Sequence, residues 1–333
     1  MALIGWAALP ILIAFITTYA LMPKWIKVAH KAGLVGEDLN KLGRPKVAEL
    51  GGVVVIAGFL AGTLSYIALN TFLFNQVKYN LYVFASTTTV LIIALIGLID
   101  DILGWKIGLS KIQKPLLTLP AALPMVVVNA GHSTVDIPLL GCVNLGILYP
   151  FLIVPIGIVG ASNAFNMLAG YNGLEAGMGI IILGALSCAA YVTGSEWVAV
   201  IGLVMSASLL AFLKFNWFPA KVFPGNTLTY AVGALMACLA ILANIEKLAL
   251  MLFVPYYLDF LLPLRKGMRV EAYAKVNDDN SLELPYDGIY DVTHLAIYVL
   301  KKVKLKVYEQ DVVISILMFE VLIVFIALKL FLM

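Results

Sequence analysis

The chain has little charge for its length, and this scarcity excludes an ordinary soluble domain. Only 12% of its 333 residues are charged, whereas 62% are hydrophobic, and the mean hydropathy is +1.00. Such a composition is typical of a polytopic membrane protein. The longest polar stretch is only Arg265 to Gln310. We therefore expect one integral-membrane domain, 1–333, that contains 265–310 as a cytoplasmic loop segment.

Cysteine and histidine are also scarce, with three residues of each type. The cysteines lie in or near apolar segments without the spacing of metal ligands, and the histidines are scattered along the chain. A metal ion held by this protein would therefore have oxygen ligands. Such ligands favour Mg²⁺, with Mn²⁺ as an alternative.

Long apolar runs separated by polar breaks predict an all-α fold with about ten transmembrane helices. These runs centre near residues 12, 60, 90, 122, 156, 182, 204, 236, 256 and 321. Prolines interrupt the fourth and ninth runs, which makes them the least regular of the predicted spans.

The placement of lysine and arginine predicts the orientation of these helices. Nineteen of the 22 basic residues follow the first, third, seventh and ninth spans, and only Lys78, Lys247 and Lys329 fall on the opposite side. Because basic loops remain in the cytoplasm, that side is predicted to be cytoplasmic. Both termini are then extracytoplasmic.

Asp100 and Asp101 close an almost unbroken apolar run, Val83 to Ile99. Two adjacent carboxylates are costly there, because burial near lipid disfavours their ionised form and a helix C-terminus carries partial negative charge. Such a pair is expected where a cation, a metal ion or a substrate offsets the repulsion. Lys111 and Lys114 follow in the same predicted loop.

The other unusual polar motifs fall on the same predicted cytoplasmic face. They are Asp38-Leu39-Asn40-Lys41, Asn163 to Glu175, Phe218 to Tyr230 and the basic segment after the ninth span. A transporter needs functional groups at mid-membrane. A one-sided cluster instead favours an enzyme that acts at the cytoplasmic surface on a lipid and a soluble partner.

The fourth, sixth and eighth spans are predicted to begin at this cluster. Their starts are marked by Lys114-Pro115, Asn172-Gly173 and Gly225-Asn226-Thr227. Helix N-termini with nearby glycine and lysine bind anions. Carboxylates that face such a site indicate a divalent metal ion and phosphoryl transfer.

Structural roles remain open for several of these residues. Asn172-x-x-Glu175 fits a variant capping box, Asn163 and Asn166 fit helix-end hydrogen bonding, and Asp38 with Lys41 fits a solvated loop pair.

Five motifs together resemble the polyprenyl-phosphate N-acetylhexosamine-1-phosphate transferases, and within them the dolichyl-phosphate GlcNAc-1-phosphate transferase branch. The resemblance spans nearly the whole chain. The motifs are Asp38–Lys41, Gly97–Asp101, Gln113-Lys114, Asn163–Gly177 and Asn216–Gly225.

The resemblance implies transfer of GlcNAc-1-phosphate from UDP-GlcNAc to a dolichyl or other polyprenyl phosphate, with release of UMP. It also implies a role in the first step of lipid-linked oligosaccharide assembly for protein glycosylation, and inhibition by tunicamycin. UDP-GlcNAc, the lipid phosphate and membrane lipid are the implied partners. Nucleic acid is not expected, and a homodimer is one candidate assembly.

The resemblance also implies roles for individual residues. Asp100, Asp101 and Lys114 would be catalytic, and the amide oxygens of Asn166 and Asn226 would bind the metal ion. The substrate-binding residues would be Asp38, Asn40, Lys41, Asn163, Asn172, Gly173, Glu175, Arg265 and Arg269.

Some residues depart from the patterns of the family. Ala169 and Asn172 replace aspartates of the bacterial peptidoglycan branch, and no triple-histidine loop follows the ninth span. Asn226 stands where the family usually has aspartate as a magnesium ligand. An amide binds Mg²⁺ without charge, so we expect lower metal affinity.

Several alternatives remain open from sequence. A related transferase could use another UDP-amino sugar or undecaprenyl phosphate, and a non-catalytic relative could bind UDP-GlcNAc without transferring it. From another class, a cation-coupled transporter would use the acidic pair as an ion site. The membrane would be the plasma membrane of an archaeon, which we favour, or the endoplasmic reticulum of a eukaryote.

Overall fold

The long apolar runs form long helices, because a chain in lipid must satisfy its backbone hydrogen bonds within each segment. A computed structural model describes residues 2–107, 113–137 and 141–332. Lys111 lies outside these residues. The long helices are α1 (Ala2–Ala32), α2 (Gly52–Ala68), α3 (Asn80–Ile107), α6 (Val154–Phe165), α7 (Leu174–Val192), α8 (Glu196–Asn216), α9 (Gly225–Ala243) and α13 (Glu309–Leu332).

Shorter elements connect the long helices. A π-helical turn, Leu69–Leu73, extends α2, and another, Tyr149–Ile153, precedes α6. The short helices are α4 (Gln113–Thr118), a 3-10 segment (Leu119–Ala122), α5 (Leu123–Val127), α10 (Glu246–Leu252), α11 (Val254–Leu264) and α12 (Val292–Leu300).

Three antiparallel hairpins lie outside the helix bundle in the part of the chain that the structure describes. They pair β1 (Val35–Glu37) with β2 (Lys46–Ala48), β3 (Thr134–Ile137) with β4 (Gly141–Asn144), and β5 (Lys275–Val276) with β6 (Leu282–Glu283). The first hairpin also contacts the segment before α9, since the Phe223 backbone N–H donates to the Ala48 carbonyl at 2.7 Å. This contact ties the loop after α1 to the start of α9.

The described residues contain eight helices that are long and apolar enough to span a membrane, or nine if a bent pair forms one span. The chain is therefore an all-α polytopic membrane protein, as predicted, although with fewer qualifying spans than the ten expected. The ninth predicted run is the bent pair, α10 and α11, which meet at 53°. The fourth predicted run forms three short segments, α4, the 3-10 segment and α5. Each segment contains one proline, Pro115, Pro120 or Pro124. The 15 residues of this run rise only about 22 Å, less than a hydrocarbon core of about 30 Å.

Helix α9 forms the centre of the bundle. Within its most apolar 18-residue window 89% of the residues are buried, compared with 22% in α1 and 28% in α13. Close approach by α3 depends on Gly97, because a Cβ atom there would lie 2.5 Å from the Asn226 carbonyl oxygen. Small residues allow such contacts between membrane helices. The end of α3 is thereby brought against the start of α9.

Candidate active site

Polar side chains collect at one end of the bundle, where α3, α6 and α8 end and α7, α9 and α13 begin. They form two groups of residues. The aspartate cluster contains Asp100, Asp101, Lys114, Asn226 and Thr227. The lysine cluster contains Asp38, Lys41, Asn172 and Glu309.

Asp100 joins three segments of the aspartate cluster. Its Oδ2 atom lies 2.9 Å from Lys114 Nζ and accepts a hydrogen bond of 2.9 Å from Asn226 Nδ2. Asp100 is only 4% exposed, so the nearby ammonium group offsets much of the cost of burying its charge. The structure thus supplies the cation that the acidic pair led us to expect.

Asp101 binds the N-terminus of α9. Its Oδ1 atom accepts from the Asn226 backbone N–H at 2.8 Å. Its Oδ2 atom accepts from the Thr227 backbone N–H at 3.0 Å and from the Thr227 hydroxyl at 2.8 Å. An anion is stabilised at a helix N-terminus, where backbone N–H groups lack helical partners. The predicted anion site at the start of α9 therefore holds a carboxylate of the protein itself.

Glycine at position 225 makes this contact possible. Gly225 has a positive φ of 71°, and a Cβ atom there would lie 2.6 Å from Asp101 Oδ2. The residue before α9, Pro224, makes no side-chain cap. The cap expected from Gly225-Asn226-Thr227 is thus provided instead by Asp101, which reaches across from α3.

Asn166 and Asn163 lie at the end of α6, next to the aspartate cluster. Asn166 Oδ1 accepts a hydrogen bond of 2.6 Å from the Thr229 hydroxyl, which also lies 3.4 Å from the Asn226 carbonyl oxygen. Asn163 Nδ2 donates to the Val159 carbonyl at 2.8 Å and to the Thr118 hydroxyl at 3.2 Å. Asn166 is thereby brought near Asn226, whereas Asn163 binds α4 to α6.

The lysine cluster is centred on the ammonium group of Lys41. Lys41 Nζ donates to Asp38 Oδ2, to Asn172 Oδ1 at 2.7 Å and to Glu309 Oε2 at 3.1 Å. It also lies 4.7 Å from the centre of the Phe218 ring, a distance typical of a cation–π contact. Asp38 and Lys41 are therefore not a solvated loop pair.

Asn40 connects three loops through both ends of its amide. Its Nδ2 atom donates to the Gly170 carbonyl at 3.1 Å, and its Oδ1 atom accepts from the Ala274 backbone N–H at 3.0 Å. The residue is 2% exposed. Its observed contacts fix the loop between α6 and α7 against the segment before β5.

The variant capping box is not formed at the start of α7. Gly173 occupies the N-cap position without a side-chain hydrogen bond. The Asn172 amide instead donates to Asp38 and accepts from Lys41 and from the Ala220 backbone N–H. Glu175 Oε1 accepts from the Gly170 backbone N–H at 2.9 Å. Tertiary partners have therefore replaced the local cap.

Glu49 and Tyr273 are site residues that the sequence motifs did not indicate. Burial and the nearby carboxylate of Asp101 raise the pKa of Glu49. Tyr273 packs against Gly170, and burial together with Glu175 raises the pKa of its hydroxyl. Both residues thus lie among the carboxylates of this end of the bundle.

The predicted arginines lie on the exposed part of the 265–310 segment. Arg265 donates through Nε and a terminal nitrogen to the carbonyls of Leu262 and Ile289, and its guanidinium carbon lies 5.3 Å from the Tyr290 ring centre. Arg269 is exposed and forms no ion pair with any described residue. Neither side chain contacts the aspartate cluster within the described ranges.

The candidate metal donors at this end of the bundle are side-chain oxygen atoms. In residues 2–107, 113–137 and 141–332 there is no group of three His, Cys, Asp or Glu residues placed to hold a metal ion. Two carboxylates and two amides are present instead, on Asp100, Asp101, Asn166 and Asn226. Such a donor set fits Mg²⁺ if substrate phosphates supply further ligands.

A cavity of about 960 Å³ lies at the opposite end of the bundle. Its lining includes Tyr66, Lys78, Glu196 and Trp197, and none of the predicted site residues. The aspartate cluster and the lysine cluster both lie at the other end of the bundle.

Comparison with known proteins now places the chain in a family. Residues 81–244, which contain the aspartate cluster, match glycosyl transferase family 4. A protein of Saccharolobus solfataricus is 38% identical over 312 residues, which cover 92% of this chain and 91% of that protein. The chain belongs to glycosyl transferase family 4. That relative carries the provisional name UDP-N-acetylglucosamine–dolichyl-phosphate N-acetylglucosaminephosphotransferase.

Two further relatives show the breadth of glycosyl transferase family 4. The UDP-N-acetylglucosamine–dolichyl-phosphate N-acetylglucosaminephosphotransferase of Dictyostelium discoideum is 30% identical, over 74% of this chain and 69% of its own length. The phospho-N-acetylmuramoyl-pentapeptide-transferase of Clostridium beijerinckii is 29% identical, over 71% of this chain and 74% of its own. The resemblance drawn from the motifs is confirmed.

Proposed function

We propose that this integral membrane protein transfers GlcNAc-1-phosphate from UDP-GlcNAc to a dolichyl or related polyprenyl phosphate. The products are a GlcNAc-diphospho-lipid and UMP. The observation that carries the proposal is that Asp100, Lys114 and Asn226, from three separate motifs, share hydrogen bonds and an ion pair. All three residues lie within 81–244, the part of the chain that matches the family. The dolichyl-phosphate relative from Saccharolobus solfataricus aligns with 92% of the chain.

The reaction needs positioning and charge neutralisation more than covalent help from the protein. An oxygen of the lipid phosphate attacks the sugar-linked phosphorus, and the bond from that phosphorus to the oxygen of UMP breaks. Lys114, already 2.9 Å from Asp100, neutralises phosphate charge, and the exposed Arg269 reaches incoming substrate. Asp100 holds Lys114 in place beside the attacking phosphate. It is not needed as a base, because a lipid phosphate is already largely ionised.

A divalent cation fits the oxygen donors of this site. Asp100, Asn166 and Asn226 would hold Mg²⁺ or Mn²⁺ through side-chain oxygens. The bound ion would neutralise the diphosphate of UDP-GlcNAc. Asp101 would support the site through its hydrogen bonds to the start of α9.

We further propose that the site faces the cytoplasm and that both termini are extracytoplasmic, because the basic loops lie at this end. The membrane is the plasma membrane of an archaeon, a proposal supported by the higher identity of the archaeal relative. A homodimer remains the proposed assembly.

The transporter alternative receives little support from the middle of the bundle. Glu320 is fully buried in α13, and neither of its carboxylate oxygens has a hydrogen-bond partner in the described ranges. A cation site requires several oxygen ligands, and this carboxyl is not part of a metal-binding group in those ranges. We therefore retain the transferase.

Purified protein tests the proposed function directly. UDP-GlcNAc, a dolichyl phosphate and Mg²⁺ are supplied, and UMP and labelled lipid product are measured with and without tunicamycin. We expect metal-dependent product that tunicamycin abolishes. Binding of UDP-GlcNAc without product would indicate a non-catalytic relative, and product only with another UDP-sugar would identify a different donor.

A further inference from the structure

Glu309 is the first residue of α13 and lies at the end of the 265–310 segment, far in sequence from Lys41 and Asn172. We propose that Glu309 is a positioning residue for the nucleotide-sugar pocket. Its carboxylate fixes the turn around Asn172 and holds the ammonium group of Lys41 in the buried centre of the lysine cluster. This inference rests on the proposed transferase function, and it adds a residue that was not among the predicted site residues.

The contacts of Glu309 are directed to two loops. Its Oε1 atom accepts from the Asn172 backbone N–H at 2.7 Å, and its Oε2 atom accepts from Lys41 Nζ at 3.1 Å. The side chain is 2% exposed. A buried carboxylate with two directed donors holds those donors in one geometry, because leaving either donor unpaired would be costly.

The hydrogen bonds of Lys41 argue against direct substrate contact. An ammonium group has three N–H donors, and Lys41 gives one each to Asp38, Asn172 and Glu309. No donor remains for a substrate phosphate in this arrangement. The role that the sequence assigned to Lys41 therefore changes from substrate contact to cross-linking of the loops.

The effect of Glu309 extends toward the aspartate cluster through Asn172. Asn172 Oδ1 also accepts from the Ala220 backbone N–H at 2.7 Å, in the segment that leads to α9. On its other side, the turn begins at Asn166, whose amide contacts Thr229. Displacing the turn would therefore move both edges of the region between Asn166 and Asn226, where the substrate is proposed to bind.

The variant Glu309→Gln removes the charge of the side chain and keeps its size and shape. Glutamine keeps an acceptor for the Asn172 N–H group but removes the negative charge beside Lys41. Asp311→Asn is the matched control, because it removes a carboxylate from the same first turn of α13, where Asp311 pairs with the more exposed Lys304. Any general effect of charge at the helix N-terminus is then common to both variants.

The experiment measures KM for UDP-GlcNAc, kcat and the Mg²⁺ midpoint, together with hydrogen exchange in the peptide around 170–173. For Glu309→Gln we expect KM to rise about tenfold and kcat to change less than about threefold, as for loss of a binding interaction. Exchange around 170–173 should become faster, while exchange around 98–101 stays the same. The Mg²⁺ midpoint should rise, because the displaced turn borders the proposed ligands Asn166 and Asn226. Asp311→Asn should leave all four quantities unchanged.

Folded Glu309→Gln protein with unchanged KM, or with reduced kcat at unchanged KM, would overturn the proposal. If Glu309→Gln does not fold, Glu309→Asp is used, which keeps the charge on a shorter side chain. It should show a smaller rise in KM, and an unchanged KM would again overturn the positioning role.

Failure of the proposed function appears separately, as wild-type protein without turnover of UDP-GlcNAc. Hydrogen exchange alone then decides: faster exchange around 170–173 supports positioning by Glu309, and unchanged exchange overturns it.

Discussion

Asp101 accepts two hydrogen bonds from Thr227, one from the backbone N–H at 3.0 Å and one from the hydroxyl at 2.8 Å. The contact joins the end of α3 to the start of α9. It lets the acidic pair exist at the end of a membrane helix, because the positive N-terminus of α9 offsets the negative end of α3. The two neighbouring carboxylates therefore have different tasks: Asp101 binds a helix, and Asp100 contacts Lys114 and Asn226.

Asp101→Asn should reduce the thermal stability of the protein. One carboxylate oxygen becomes an NH₂ group that faces backbone N–H donors, so at least one hydrogen bond at the start of α9 is lost. We expect a loss of about 2 kcal/mol in unfolding free energy, measured by thermal unfolding in detergent. Asp287→Asn, in an exposed ion pair with Lys266, is the control and should have little effect. Equal melting temperatures of the two variants would contradict this role of Asp101.

Asp100→Asn should reduce turnover far more than stability. Asparagine can still accept from Lys114, and repulsion from Asp101 is relieved, so the fold is retained. Loss of the charge that holds Lys114 in place for the reacting phosphates should reduce kcat about a hundredfold. Steady-state kinetics and a melting curve on the same preparation measure the two effects. Normal turnover with normal metal dependence would remove Asp100 from the mechanism.

Asn226→Asp should tighten metal binding and reduce stability without metal. The Asn226 amide nitrogen lies 2.9 Å from Asp100 Oδ2, so an aspartate there would place two carboxylates in contact. We expect a lower melting temperature in EDTA, a larger rise on addition of Mg²⁺, and a lower Mg²⁺ midpoint for turnover. An unchanged metal titration would count against Asn226 as a ligand.

Gly97→Ala should damage both stability and activity by separating α3 from α9. The added methyl group would lie 2.5 Å from the Asn226 carbonyl oxygen, so the helices must move apart and the contacts of Asp101 must lengthen. We expect a loss of about 1–3 kcal/mol, typical of overpacking, with a fall in kcat. Gly157→Ala in α6 is the matched control, since no atom lies within 4 Å of its added methyl group. If Gly97→Ala and Gly157→Ala have the same melting temperature, the close approach of α3 to α9 is not required for stability.

Glu49→Gln should stabilise the protein at neutral pH but not in acid. Burial and Asp101 raise the pKa of Glu49 above its ordinary value of 4.5. Between the unfolded and folded pKa values the native state binds more protons, so wild-type stability falls as pH rises through this window. Glutamine cannot ionise and avoids that loss.

Melting temperatures measured across pH test this linkage. The stability difference between Glu49→Gln and wild type should be near zero below pH 4.5 and should reach its maximum above the folded pKa of Glu49. Glu37→Gln is the matched control, because it removes a carboxylate of β1 that is 53% exposed and should change stability little. A constant difference at every pH would show that the substitution acts through packing instead of charge.

The apolar runs were sufficient to predict the class of fold and most of its spans. The hydropathy of a segment depends only on its own residues, so each apolar run of about 20 residues can be recognised without its neighbours. Two predicted spans are irregular, as their prolines indicated. Helices α10 and α11 meet at 53°, and α4 and α5 are short. The prolines identified these positions as irregular, but the geometry that results depends on neighbouring helices.

Residues of the candidate site could be predicted where a motif is short and chemically unusual. Asp100 next to Asp101 carries its own signal, because two carboxylates at the end of an apolar run need compensation. Glu309 carries no such signal: its partner Lys41 lies 268 residues away in sequence. Thr227 and Thr229 were adjacent to a motif, yet their role depends on which side chain from another helix reaches them.

The sequence by itself determined that this protein lies in a membrane, belongs to this transferase family and concentrates its polar chemistry in a few loops. Hydropathy, basic-residue placement and short motifs act locally, and each can be interpreted without knowledge of the fold. Only the tertiary structure decided how those residues divide their tasks. It placed Asp101 on the N-terminus of α9 and surrounded Lys41 with Asp38, Asn172 and Glu309. The reason is that hydrogen bonds depend on distances in space, which packing of the helices sets.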